Sequence, residues 1–364
     1  MFQSMLSMHR PAYLKYLLAI ASWAAAAASA QPVTLVDENQ RVTVLAKPAE
    51  RVVTIPLPAA AMLMTVDGGS RRLVGMNSVS KSAIEEGVLK KIFPASLEIR
   101  SDVAGDGFMP NVETLLEARP DLVLQWGDRG QDVIEPMTRL GIPVATLKYG
   151  SIEGVHAWLR LMGKALGRDG NADRMIRWSN AVLADMRSRT NPIPETEKPR
   201  IVYFLRFLSG MQVAGRNTNQ DFDIHVAGGK NPAEGLSDFK LVNMEQILSW
   251  DPEVILLNNF ETGLTPQDVY SNPLFSSVSA VKHRRVYKMP LGGYRWDAPS
   301  HESPLNWEWL ATIFHPHRFN LPLRKQITEA YKMIYGYTPT ADDLDQVLRI
   351  DINRQSAHYE RLMQ

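Results

Sequence analysis

The feature that constrains this chain most is a helix-to-strand unit that occurs twice. Asn111-Val112-Glu113-Thr114-Leu115-Leu116-Glu117-Ala118-Arg119-Pro120-Asp121-Leu122-Val123-Leu124 aligns without a gap on Asn243-Met244-Glu245-Gln246-Ile247-Leu248-Ser249-Trp250-Asp251-Pro252-Glu253-Val254-Ile255-Leu256. In each copy an Asn stands where a helix cap belongs, an acid follows in the first turn, and Pro stops the helix ahead of a short aliphatic run. The same unit, used twice, predicts two lobes of one class.

Around the repeat, β-branched or aliphatic runs alternate with helical patterns. Val52-Val53-Thr54-Ile55 precedes Ala59 to Met64, Leu122-Val123-Leu124 precedes Val133 to Leu140, and Val144-Ala145-Thr146-Leu147 precedes Val155 to Leu166. Such alternation indicates an α/β fold with a mainly parallel sheet. A second series starts beyond Asn191-Pro192-Ile193-Pro194, with Ile201-Val202-Tyr203-Phe204, Val254-Ile255-Leu256-Leu257 and Val286-Tyr287-Lys288-Met289. Between the two, Ala172 to Arg189 lacks Gly and Pro and sets Met175, Trp178, Val182 and Met186 at helical spacing. At about 1.5 Å per residue this stretch makes a rod of roughly 27 Å, long enough to join two lobes. An amphipathic surface helix of one lobe would show the same local pattern. The expected divisions are an N-terminal lobe over 31–168, a connecting helix over 169–191, and a C-terminal lobe over 192–364 that carries a helical extension.

The opening segment places His9, Arg10 and Lys15 before an uncharged stretch from Tyr16 that ends in Ala28-Ser29-Ala30. That is the order of a secretory signal, and cleavage before Gln31 is expected, removing 1–30. The stretch is alanine-rich and shorter than the roughly 20 strongly apolar residues that span a bilayer. The chain contains no cysteine, which excludes disulfides, thiolate metal sites, cysteine nucleophiles and the acylated cysteine of a lipoprotein. Export without that anchor points to a Gram-negative periplasm. The 40 Lys and Arg oppose 39 Asp and Glu; without Arg10 and Lys15 the count is 38 against 39, a net of −1. So even a balance attracts neither nucleic acid nor anionic lipid, and charge recognition has to be local. Removing 30 of 364 residues leaves 334, enough for two lobes that each bury a core.

With these patterns the chain resembles the class III periplasmic binding proteins that serve ferric-siderophore, cobalamin and haem importers. The resemblance rests on Val52 to Ala61, the paired units Glu113 to Leu124 and Glu245 to Leu256, Ala227-Gly228-Gly229-Lys230-Asn231, and Glu302-Ser303-Pro304-Leu305 leading into Trp309-Leu310-Ala311. It covers most of residues 50 to 316. It implies two Rossmann-like α/β lobes joined by one long helix, a ligand cleft between them, and small hinge motion. It further implies a monomeric, non-enzymatic binding protein without covalent cofactor, whose partners are a small-molecule metal chelate and the inner-membrane permease of an ABC importer. In the family a glutamate on each lobe pairs with permease arginines, and Glu113 and Glu245 match those positions. The same acids also complement their helix dipoles, worth about 0.3–1 kcal/mol each.

Cleft recognition should come from loops at strand ends. After Leu124 comes Gln125-Trp126-Gly127-Asp128-Arg129; after the run at Ile201 comes Leu205-Arg206-Phe207; after the run at Val286 comes Gly292-Gly293-Tyr294-Arg295-Trp296. Arg129, Arg206 and Arg295 offer planar donor forks suited to catecholate, hydroxamate or carboxylate oxygens around iron(III). Trp126, Tyr294 and Trp296 can lie against an aromatic or apolar chelator. The bland alternative is a rim ion pair for each Arg and a core position for each aromatic. In some similar proteins a histidine before the glycine marker and a tyrosine of the late loop complete iron coordination; the matching residues are His225 and Tyr294. A capping or core role for His225 is the competing reading.

A secreted α/β hydrolase is the rival class, and the chain lacks a Gly-x-Ser-x-Gly elbow, a phosphate-binding Gly-x-x-x-x-Gly-Lys-Ser/Thr loop and a zinc-protease helix. Within the binding class, a molybdate- or tungstate-type oxyanion, cobalamin or haem are alternatives to the siderophore. Residues 317–364 run beyond the family pattern, include a capped helix start at Tyr337 to Leu344, and are expected to pack against the second lobe.

Overall fold

The computed structural model describes residues 31–363, so the expected signal segment 1–30 lies outside the described residues. A hairpin of β1 (Val33–Val36) and β2 (Val42–Leu45) comes first. Then β3 (Val52–Thr54), β4 (Leu73–Met76), β5 (Leu122–Trp126) and β6 (Val144–Leu147) form a wholly parallel sheet in the order β4-β3-β5-β6. Aliphatic runs without internal charge suit such strands, which helices cover on both faces.

The second sheet contains β7 (Ile201–Arg206), β8 (Gln212–Ala214), β9 (Phe239–Leu241), β10 (Val254–Leu257) and β11 (Val286–Lys288), in the order β11-β10-β7-β8-β9. Its β7, β10 and β11 are parallel, whereas β8 and β9 pair antiparallel. The antiparallel edge departs from the sequence expectation because three-residue strands are too short to show a period.

Both copies of the repeat fold alike. Asn111 and Asn243 cap the helices Val112–Ala118 and Met244–Trp250, accepting from the Thr114 and Gln246 amides at 3.4 and 2.9 Å. Arg119 and Asp251 close the helices at φ 47° and 39°, and the chain turns into β5 and β10.

The connecting helix spans Asp169–Thr190, beginning three residues before Ala172; its 22 residues make about 33 Å. It lies against helix Ile152–Leu166 of the first lobe and helix Ser303–Phe314 of the second. The first crossing is close, since a Cβ on Gly163 would stand 2.8 Å from the Ala172 Cβ. Ser303–Phe314 is buried at every position, as a helix enclosed on all sides must be.

That enclosure changes the expected core arrangement. Instead of two separate cores, one buried apolar cluster runs from Val52 and Leu124 through Met175 and Met186 to Tyr203, Trp307 and Leu310. Alternate strand residues face the other way: Val53 and Val123 enter a smaller first-lobe cluster, Val202 and Phe204 a smaller second-lobe one.

The C-terminal extension, expected against the second lobe, packs against both. Its helices Leu323–Tyr335 and Ala341–Val347 bring Asp343 to Lys91 of the first lobe at 2.5 Å, and Gln346 donates to the Glu86 carbonyl at 2.8 Å. Asp343 also accepts from Tyr337 and from the Thr340 hydroxyl and amide. Burial opposes its ionised form, but Lys91, Tyr337 and Thr340 outweigh that and hold the carboxyl well below the usual range. A depressed pKa contributes stability above the unfolded value of about 3.9, lost as pH falls towards the folded value. Asp343→Asn is therefore expected to lower stability by about 1–3 kcal/mol at neutral pH. The gap from wild type should narrow below about pH 4. Urea titrations at neutral and acid pH check this, and a gap independent of pH would remove the ion pair from the account.

Candidate ligand-binding site

The loops at the carboxyl ends of the parallel strands of both sheets meet along one seam, where α/β sheets ordinarily bind ligands. On the first lobe, Trp126 ends β5 and is buried, edge-on to Phe108 at 5.7 Å, Trp158 at 5.7 Å and Tyr149 at 6.2 Å. The Arg129 guanidinium lies 4.6 Å from the Phe108 ring and 5.3 Å from that of Trp126.

Tyr149 follows β6, and its position is set from the hairpin. The buried Asp37 accepts from the Thr146 amide and hydroxyl at 2.8 and 2.6 Å, while Glu38 accepts from the Lys148 amide and Trp158 indole at 2.8 and 3.0 Å. The Tyr149 amide donates to Asp128 at 3.3 Å. Although part of the residue is exposed, the Tyr149 hydroxyl is enclosed by Gln220, Asp223, Asp297 and Tyr294 of the second lobe, and burial pushes its pKa up to about 12. It reaches across the seam as a neutral phenol.

On the second lobe, Arg206 ends β7 with its guanidinium 5.7 Å from the Phe260 ring. The loop after it is fastened by Glu261, which accepts from the Phe207, Leu208 and Ser209 amides at 2.7, 3.1 and 3.2 Å. Burial opposes the Glu261 carboxylate, but donors from Asn258, Phe207 and Ser209 prevail and lower its pKa. Arg295 stands 5.1 Å from Phe260 and 5.8 Å from the Tyr294 ring. It is 2% exposed, and its donors reach the Asn259 carbonyl at 3.1 Å, the Val79 carbonyl at 3.0 Å and the Ser82 hydroxyl at 3.2 Å. Val79 and Ser82 belong to the first lobe, so Arg295 ties the lobes together. The Tyr294 and Ser80 hydroxyls are buried beside each other across the seam.

The structure thus gathers Trp126, Arg129, Arg206, Tyr294 and Arg295 along one seam. Trp296 sits behind it, its indole donating to Glu302 at 2.8 Å. His225 is not brought to Tyr294: it is exposed at the end of helix Asn219–Val226, with Nδ1 on the Asp221 carbonyl at 2.7 Å and Nε2 3.9 Å from Glu234. No group of three or more His, Cys, Asp or Glu among the described residues could hold a metal ion. Glu113 and Glu245 are exposed in corresponding first turns, and neither is paired with another side chain among the described residues. Sequence reasoning missed Phe108, Tyr149 and Phe260. The last two follow β6 and β10, so the strand-end rule, extended to those strands, would have found them.

The periplasmic binding protein family model matches residues 74–291. The chain belongs to that family. This periplasmic binding protein resembles a periplasmic solute binding protein from Veillonella parvula, with TM-score 0.81 and 30% identity over 89% of this chain and 99% of that one. The fold also matches molybdate-bound MolA of Haemophilus influenzae, with TM-score 0.74, 20% identity, and 84% and 99% coverage. The Fe(3+)-citrate-binding protein YfmC of Bacillus subtilis is 22% identical over 257 residues, covering 69% of this chain and 76% of that one. The family makes this chain the solute-binding component of an ABC importer rather than an enzyme. No helix among the described residues is long and apolar enough to cross a membrane.

Behind Tyr149, burial pushes Asp223 up to about 7 even though Trp307, Asn306 and Asn219 donate to it at 2.6, 3.1 and 2.7 Å. A carboxyl raised on folding keeps a proton that the unfolded chain releases, so its contribution falls as pH rises from about 4 to about 7. Asp223→Asn should flatten that part of the stability profile, whatever its effect on absolute stability. Urea midpoints measured across this window for both proteins decide the matter; parallel profiles would exclude Asp223 as the source.

Proposed function

We propose that this protein is exported to the periplasm, where it captures an anionic metal chelate and delivers it to the inner-membrane permease of an ABC importer. The preferred cargo is iron(III) held by carboxylate, hydroxamate or catecholate oxygens. The observation that carries this reading is the row of Arg129, Arg206 and Arg295, which pairs guanidinium groups with aromatic rings on both sides of the seam. A guanidinium over a ring gains about 0.5–1 kcal/mol where exposed and keeps a flat face and fixed donors for a delocalised anion. Their labour is divided. Arg295 spends its donors across the lobes, so Arg129 and Arg206 are the groups that grip the cargo while Trp126, Tyr149 and Phe260 supply apolar walls.

A second reading, a small oxyanion of molybdate or tungstate type, is favoured by the buried Ser80 and Tyr294 hydroxyls, which are donors of the kind that hold such an anion. Cobalamin and haem need a broader apolar surface than this mixture of arginines and hydroxyls provides. For docking, Glu113 and Glu245 offer one free carboxylate per lobe at matching places, suited to orienting the protein on permease arginines.

Calorimetric titration with iron(III)–citrate, molybdate and cobalamin separates the cargoes. Arg129→Ala and Arg206→Ala should each weaken iron(III)–citrate binding about tenfold, the scale of one charge-assisted hydrogen bond. Binding of molybdate with no response to iron(III)–citrate would select the oxyanion. The Glu113→Ala, Glu245→Ala double variant should bind cargo as wild type does while cellular uptake of labelled iron falls.

A further inference from the structure

The loop that carries Tyr294 and Arg295 has little support of its own. It is a tight reversal, with the Gly292 amide on the Tyr294 carbonyl at 3.0 Å and an isolated bridge between Leu291 and Arg295. The Val88 amide donates to the Gly292 carbonyl at 3.3 Å and the Leu291 amide to the Val347 carbonyl at 2.9 Å, and the rear face of the loop rests on a buried carboxylate. Glu302 accepts from the Gly293 amide with both oxygens at 3.0 Å, from the Trp296 indole at 2.8 Å and from the Tyr335 hydroxyl at 2.6 Å. The loop backbone presses close to these groups. A Cβ on Gly292 would stand 2.2 Å from Glu302 Oε2 and 2.5 Å from Tyr331 Oη; one on Gly293 would stand 2.0 Å from Tyr335 Oη.

Glu302 is 0% exposed and has no cationic partner among the described residues. Burial raises its pKa, and the Tyr335, Gly293 and Trp296 donors offset part of that rise. A carboxyl so placed is costly unless its neighbours satisfy it. One of those donors, Tyr335, comes from the C-terminal extension, where Tyr331 packs edge-on against it with ring centroids 5.1 Å apart. The contacts continue through His301 into the first lobe: His301 Nε2 lies 2.7 Å from the Tyr335 hydroxyl and 3.1 Å from that of first-lobe Thr65, which donates to the Ala61 carbonyl at 2.7 Å. Burial pushes His301 down to about 3, so its ring is neutral and brings a single N–H to this chain.

We propose that the C-terminal extension belongs to the binding machinery: Tyr335, acting through Glu302, is a positioning residue that holds the Gly292–Trp296 loop in the shape that presents Tyr294 and Arg295 to the seam. The inference rests on the placement of the ligand site proposed above, but not on the identity of the cargo. Neither Tyr335 nor Glu302 faces the seam; both act through the loop backbone.

The test uses the full mature protein. Tyr335→Phe removes one hydroxyl and leaves the ring, while Ile327→Ala truncates a buried side chain of the same helix away from Glu302. Hydrogen exchange at the Gly293 amide of the unliganded protein reads the loop, iron(III)–citrate titration reads the site, and thermal melting reads global stability. Tyr335→Phe should speed Gly293 exchange and weaken iron(III)–citrate binding, each by about tenfold. Ile327→Ala should lower the melting temperature at least as much and leave both other readouts within about twofold of wild type. Glu302→Gln, which keeps one oxygen for the Gly293 amide, should retain more protection there than Glu302→Ala. Unchanged Gly293 exchange in Tyr335→Phe, or equal loosening in Ile327→Ala, would overturn the proposal. If wild type ignores iron(III)–citrate, the cargo reading falls while Gly293 exchange still decides the role of Tyr335.

Discussion

The whole arrangement depends on one packing constraint, the burial of helix Ser303–Phe314 on every side. A helix without a solvated face needs neighbours all round, and here the connecting helix and the extension help supply them. Those neighbours belong to or touch both lobes, so satisfying one helix fixes the sheets relative to each other. Their carboxyl edges then face a common seam. The two-lobe plan is therefore less a pair of independent domains than one core with two outer wings.

Within that frame, opposite charges and neutral dipoles divide the work. Acids hold loops: Asp37 and Glu38 fasten the segment that leads to Tyr149, Glu261 fastens the one after Arg206, and Glu302 underlies the one that bears Arg295. Each accepts backbone amides, so each fixes main chain rather than a single side chain. The arginines are left to face outward or across. A chain with nearly equal numbers of acids and bases can thus set arginines along the seam while these acids turn lone pairs towards the backbone behind it.

Much of this was legible in the sequence because it is periodic. The doubled helix-to-strand unit, the rod from Ala172 to Arg189 and the arginines at strand ends all follow from local pattern, and the structure places them as two lobes, a connecting helix and a shared seam. What escaped was set by distance in sequence. The β8 and β9 strands are too short to carry a period. His225 stands beside the glycine marker, but its helix turns it towards Glu234, an orientation no motif encodes. The extension reads as ordinary amphipathic helix, and its contacts with Lys91 and Glu86 join residues 252 and 260 positions apart. Glu302 looked like part of a family marker; only its surroundings reveal that it supports a loop.

The hairpin at the beginning of the described chain carries a further implication. Asp37 bonds to Thr146 across 109 positions and Glu38 to Trp158 across 120. During synthesis the first of these partners is therefore available long before the second, and the hairpin has nothing to settle on until β6 and the following helix have appeared. Contacts that span so much sequence form slowly. The hairpin is therefore expected to be among the last parts of the first lobe to become ordered as the chain folds, although it stands ahead of that lobe's sheet in the sequence.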